Sequence, residues 1–298
     1  MSIVGFIRRV VAGWVRLRRR NRWVGHVARA ARRYNQADGR RLAAAVTFYG
    51  FFAVFALAVL GFAVLGYVLD NPAADRAVER YLAENLPVLD TAALRDARGA
   101  AGVIGFVSLP VIGLLWVDSL RSSIRAVWRI EEYPGGFFIR WFIDGLALIG
   151  LAVLLAVSLT VAFGTGGLLE RLVVAAGGAE FTPVQWLLAA IGFALGYGVN
   201  TLLAIFVLTA LPRLRMPWRR VLGPGLLIAA GVAVLKALAW LFVERVETNP
   251  ALHVVAGAAA LLIFLLVLNQ LILFAAALTA TGTAEPVIDL ASPRRRPM

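Results

Sequence analysis

Six stretches of about 20 apolar residues, each long enough to cross a bilayer, punctuate the chain at roughly 42–69, 101–120, 141–163, 184–211, 221–243 and 251–281. Nothing else in the sequence constrains the fold as strongly. In hydrocarbon every backbone N–H and C=O must be satisfied within its own segment or a closed barrel, so runs of this length specify helices. Several exceed what a perpendicular crossing needs, which implies tilt or protrusion. The expected class is an all-α integral membrane protein with a six-transmembrane-helix bundle over 42–281. A basic amphipathic arm at 1–41 precedes it, and a basic tail without fixed structure at 282–298 follows. Composition agrees, with 61% of residues hydrophobic and 16% charged, against about 45–50% and about 25% in a soluble domain.

A net charge of +13 raises the question of nucleic-acid binding, and the placement of the charge argues against it. Segments 1–41, 121–140, 212–220 and 282–298 carry 23 arginines, whereas the alternate segments 70–100, 164–183 and 244–250 carry 6. The positive-inside rule puts the first set, and both termini, on the cytoplasmic side of a plasma membrane. Anionic lipids are therefore the expected partners, and no nucleic acid is. In the arm, Ile3, Ile7, Val10, Trp14 and Leu17 recur at helical spacing among Arg8, Arg9, Arg16 and Arg18. Trp23, Val27, Ala30 and Tyr34 repeat the pattern with Arg29, Arg32 and Arg33, as in interfacial helices. In the first outer loop, Asn71 and Pro72 open a further amphipathic helix with Val78, Tyr81, Leu82 and Leu86 on one face. It is read as resting on the outer surface, with a lid over a cavity as the alternative.

Catalytic signatures are missing from the sequence: there is no phosphate-binding G-x-x-x-x-G-K-[ST], no H-E-x-x-H and no G-x-S-x-G. With no cysteine, no disulfide, thiolate nucleophile or cysteine-bound metal is available. His26 and His253 fall at opposite membrane faces in the expected topology, so they build no common site. Gly164, Gly166 and Gly167 form a turn, since no strand precedes them. No catalytic residue, metal or cofactor is expected.

Polar groups inside the apolar runs carry more information. Lys236, the one lysine, lies in an otherwise uncharged run from Gly223 to Val243, where an unpaired ammonium costs about 2.5–3.5 kcal/mol on insertion scales. It sits about 12 Å from the outer end of its helix at 1.5 Å per residue, within partial snorkelling reach, and Trp240 one turn away can cover its stem. Asn200, Asn269 and Gln270 are further intramembrane amides. They either bond between helices or line a pathway with Lys236. Gly192 and Gly196 precede Asn200 at four-residue intervals, a stripe that suits close helix packing. Nearer the cytoplasmic surface, Asp118, Arg121, Ser122, Arg125 and Arg129 share one helix face, and Asp144 follows Arg140 by one turn. Two readings stand: a hairpin lock of Arg–Asp pairs, or an anion or headgroup site built from arginine forks.

Four segments carry a family resemblance: AAAVTFYGFFAVFAL at 43–57, LRSSIRAVWRIEE at 120–132, LPRLRMPWRRVLGPGLLIA at 211–229, and the helix of Lys236. Their order and spacing between Arg41 and Thr281 resemble the YihY / virulence factor BrkB family of bacterial inner-membrane proteins, once labelled ribonuclease BN. The chain departs from the family pattern at Ala275, Ala276 and Ala277, where many members have Gly-Ala-Glu, and at Leu265, where a tryptophan is common. The resemblance implies a six-helix inner-membrane protein without an agreed activity, lipid or small-molecule transport being among the proposals. The ribonuclease label finds no support in these residues, so no enzyme is expected. The leading expectation is a transporter or flippase-like protein for a lipid or other amphipathic anion, with Lys236, Asn200, Asn269 and Gln270 lining a cavity. The alternative is a membrane scaffold or interaction protein, and a homo-oligomer is compatible with either.

Overall fold

The structure, a computed structural model, describes residues 22–68, 91–136, 138–155, 157, 182–243, 250–282 and 286–291. The amphipathic period of the arm forms α1 (Arg22–Gln36). Its apolar face is divided: Ala30 and Tyr34 are buried, whereas Trp23 is 76% exposed and Val27 is exposed beside it. Asp38, in the left-handed region at φ 52°, turns the chain into α2 (Gly39–Val68). Only glycine fits the next position, because a Cβ on Gly39 would lie 2.3 Å from the Tyr34 ring.

Five more helices follow: α3 (Thr91–Trp128), α4 (Phe138–Leu155), α5 (Thr182–Thr209), α6 (Trp218–Val243) and α7 (Pro250–Ala280). Six helices, α2 to α7, are long and apolar enough to cross a membrane, as the hydropathy pattern predicts. With 38 residues, α3 is about 57 Å long at 1.5 Å per residue. It therefore carries the Asp118–Arg125 stripe well past the centre of the bundle. Between α5 and α6, β1 (Leu214–Arg215) pairs antiparallel with β2 (Ile288–Asp289), with Leu214 opposite Asp289. The expectation of a structureless tail is thus corrected at 286–291. Alternation explains it, since Val287 and Asp289 turn inward and are buried while Leu290 is exposed.

The core is concentrated at the end of the bundle that holds α1, the 129–136 turn, β1 and β2. Buried there are Val117, Leu120, Ile124 and Val127 of α3, Leu208 in the last turn of α5 and Leu211 just after it, Val221 of α6, and Leu273 with Ala275, Ala276 and Ala277 of α7. Those three alanines are fully buried, so the helices crowd where the family pattern would carry a glutamate. Elsewhere long apolar side chains face outward. On α4 the exposed Phe138, Phe142, Leu146, Ile149 and Val153 recur at helical spacing, the stripe a hydrocarbon solvent requires.

The expected helices within 1–21 and 72–86, the turn at 164–167, and the side chains of Trp240 and His253 lie outside the described residues.

Candidate functional site

The arginine stripe of α3 meets its acids at the basic end. Arg121 is fully buried; its Nη2 donates to Asp118 Oδ1, its Nη1 donates to the Glu132 carbonyl at 3.0 Å, and its Nε lies 3.0 Å from Asp144 Oδ1. Asp144, buried on α4, is also 3.3 Å from Arg213 Nη2. Asp118 is shared in turn with Arg140, 3.6 Å away, whose guanidinium lies over the Tyr133 ring at 5.0 Å. The hairpin of α3 and α4 is therefore closed by carboxylates that each serve two guanidinium groups.

Arg125, also fully buried, makes a second node. It forms a two-pronged fork with Asp289, donating from Nη1 at 3.1 Å and from Nη2 at 2.7 Å, and it donates to the carbonyls of Glu131 at 2.6 Å and Pro212 at 2.7 Å. One side chain thus ties α3, the turn after it, the turn after α5 and the tail strand. Paired, planar geometry of this kind is what offsets the desolvation of a buried guanidinium.

Two arginines occupy backbone positions that favour glycine, Arg129 at φ 56° and Arg213 at φ 60°. At the end of α3 the Ile130 N–H donates to the Arg125 carbonyl and the Arg129 N–H to the Ala126 carbonyl, the pattern of a left-handed helix cap. A side chain there costs about 1 kcal/mol, and both residues use theirs: Arg129 donates to Gln36 Oε1 at 2.7 Å, and Arg213 reaches Asp144. Burial lowers the Arg213 guanidinium from its ordinary value while Asp144 opposes that; arginine starts so high that the group stays charged.

Of the two readings of the stripe, the geometry matches the lock. Arg121 and Arg125 are enclosed and paired with acids and backbone carbonyls, so neither presents an open fork to a lipid headgroup, and that expectation is corrected for both. Arg129 is exposed and anchors α1. Asp144 meets the stripe across the hairpin, as its spacing from Arg140 implies. Asp289 and Arg213 were not legible as members, because their partners lie 164 and 69 residues away.

Asn269 turns to a neighbouring helix rather than to the lysine. Asn269 is buried on α7 and donates from Nδ2 to Thr47 Oγ1 of α2 at 3.0 Å, a bond between helices. Lys236 is exposed on α6, between the exposed Val234 and Leu238, so it and Asn269 line no common enclosed cavity. Asn200 and Gln270 are half-buried. Gly192 is half-buried too, but a Cβ on Gly196 would meet nothing within 4 Å, so the close-packing role expected of Gly196 is not seen among the described residues. Close approaches occur instead at Gly113, 3.0 Å from Leu148, and Gly225, 3.0 Å from Ile205.

A groove of about 610 Å³ opens at the basic end, where α5 stops and α6 starts. Ile143, Ile205, Met216 and Leu222 form apolar walls, with Arg213, Arg215 and Trp218 among its lining. The surrounding turn lies between spans ending at Thr209 and beginning at Trp218, the depth at which headgroups meet acyl chains.

No solved structure matches the chain. Among curated proteins, it is 29% identical over 299 residues to an uncharacterized protein of Dickeya dadantii, covering 94% of this chain and 89% of that protein. It is 27% identical over 278 residues to the inner membrane protein YhjD of Escherichia coli, covering 87% of this chain and 81% of the relative. It is 31% identical over 196 residues to a UPF0761 membrane protein of Alkalilimnicola ehrlichii, covering 62% of this chain and 41% of that one. The family model described as virulence factor BrkB matches residues 30–295, a span that takes in the second half of α1, all six membrane helices and the tail strand. The chain belongs to the virulence factor BrkB family.

Proposed function

We propose that this membrane protein moves an amphipathic anion, a lipid being the best-fitting class, between the leaflets or across a bacterial inner membrane, with its basic end toward the cytoplasm. The observation that carries the reading is the groove between α4, α5 and α6. It offers apolar walls for hydrocarbon and arginines at headgroup depth, the two surfaces an amphipathic anion presents. Lys236, exposed on the same helix that forms one wall, supplies a cation further along α6. On this reading the chain is not an enzyme.

The test is lipid flip in vesicles carrying fluorescent phosphatidylglycerol, read by chemical quenching of the outer leaflet. The full chain is expected to accelerate flip over protein-free vesicles, and the groove-filling Ile205→Trp and the charge-removing Lys236→Met are each expected to slow it. Flip no faster than in empty vesicles sinks the proposal.

A second reading is favoured by a specific observation: Arg121, Arg125 and Asn269 all lock helices to one another. A scaffold needs only that rigidity and a recruiting arm. Loss of a cytoplasmic partner on deleting 1–41, with lipid flip unchanged, selects it.

A further inference from the structure

A different cleft lies where α1 crosses the end of α7. Arg29, Arg32, Arg33 and Gln36 share one face of α1 at three- and four-residue spacing and line a recess of about 250 Å³ with Thr281. It is separate from the Arg121 and Arg125 nodes, and nothing in the proposed lipid movement requires it.

The cleft is chemically one-sided. Arg29 and Arg32 are exposed and have no hydrogen bond or ion pair among the described residues. Arg33 donates from Nε and Nη2 to the carbonyls of Val127 and Trp128 at 2.7 and 2.9 Å, which fixes its guanidinium rather than neutralising it. Burial, and then the neighbouring Arg129, lower Arg33 from its ordinary value. Gln36 uses its oxygen to accept from Arg129, so its amide N–H groups remain as donors. The Thr281 hydroxyl donates to the Ala277 carbonyl at 2.9 Å. No acid lines the recess, and residues 1–21, which precede α1, contain none. Three like charges one helical turn apart repel one another, and a cluster rich in donors with no acid to neutralise it is complementary to a ligand that only accepts.

Depth narrows the ligand. The α7 span ends at Ala280, so Thr281 marks the membrane interface, and the exposed Trp23 on α1 is a side chain suited to that level. We infer that the α1–α7 cleft binds a phosphate monoester or phosphate dianion, held between the Arg29 and Arg32 guanidinium groups against the fixed charge of Arg33. Multiple charge-assisted bonds to planar forks are the chemistry that recognises such a group. A lipid headgroup and a free phosphate present the same oxygens.

The experiment uses the full chain in neutral detergent, with two probes measured separately: phosphatidic acid, followed by native mass spectrometry against phosphatidylcholine, and inorganic phosphate, followed by thermal protection. Arg29→Gln with Arg32→Gln is compared with the exposed control pair Arg40→Gln with Arg41→Gln, and the melting temperature of each without ligand checks folding. Removing two interfacial arginines is expected to weaken binding about thirtyfold, while the control pair stays near wild type. Phosphatidic acid lost selectively in the cleft variant, with inorganic phosphate unable to compete, assigns the site to a headgroup. Cleft-dependent protection by inorganic phosphate, with competition against the lipid, assigns it to a free anion. Equal loss in both variants, or binding of neither probe, overturns the inference.

Discussion

Arg125 and Asp289 show what a buried charge demands of its surroundings. Fully enclosed, Arg125 is tolerated because Asp289 and two carbonyls occupy its donors. Arg125→Leu leaves the Asp289 carboxylate buried without its cation, and the expected cost is about 3–5 kcal/mol, read as a lowered unfolding midpoint in detergent. Replacing both by leucine is expected to recover most of that loss, because an apolar pair removes the stranded charge as well as the bond. A double variant no more stable than the single one shows that the loss lies in the bonds to the Glu131 and Pro212 carbonyls rather than in a stranded carboxylate. The arginines of α3 were legible as a stripe, and Asp144 as a partner across the hairpin. Asp289 was not, since a lone acid in a basic tail has no periodicity to mark which distant cation it will meet.

Helix positions were readable from hydropathy because bilayer thickness sets the length of every crossing. Which faces meet was not. Glycines illustrate the gap: Gly196 sits in a spacing that suits close packing, yet it faces open space, while Gly225 next to Pro224 is the one pressed against α5. The Gly225 Cβ direction meets Ile205 at 3.0 Å and the Thr201 carbonyl at 3.6 Å. Gly225→Val is expected to destabilise by about 1–3 kcal/mol. Gly196→Ala is expected to be neutral or to stabilise by up to about 1 kcal/mol through helix propensity. Melting temperatures of the two purified variants, measured side by side, decide it; equal losses contradict the packing described. The amide of Asn269 illustrates the same gap, because small and polar residues become partners only once crossing angles bring α2 to α7.

The whole bundle is tight at one end and apolar-surfaced elsewhere, and all the described arginine locks lie at the tight end. Packing of α1, β1 and β2 against that end requires both flanks of the membrane domain to lie on one side, as an even number of crossings dictates. With no native cysteine, single cysteines at Arg40, Tyr133 and Leu290 can be labelled without background. All three are expected to react with an impermeant thiol reagent from the same side in intact vesicles; labelling of Leu290 from the opposite side contradicts the fold. Membrane insertion proceeds from the amino terminus, so α3 is in place while Arg125 still lacks the carboxylate that lies 164 residues downstream. Every later helix must insert, and the chain must return across the turn after α5, before that guanidinium is neutralised. A chain interrupted after α7 would therefore carry all its membrane helices while the Arg125 guanidinium still lacked the carboxylate that closes its fork.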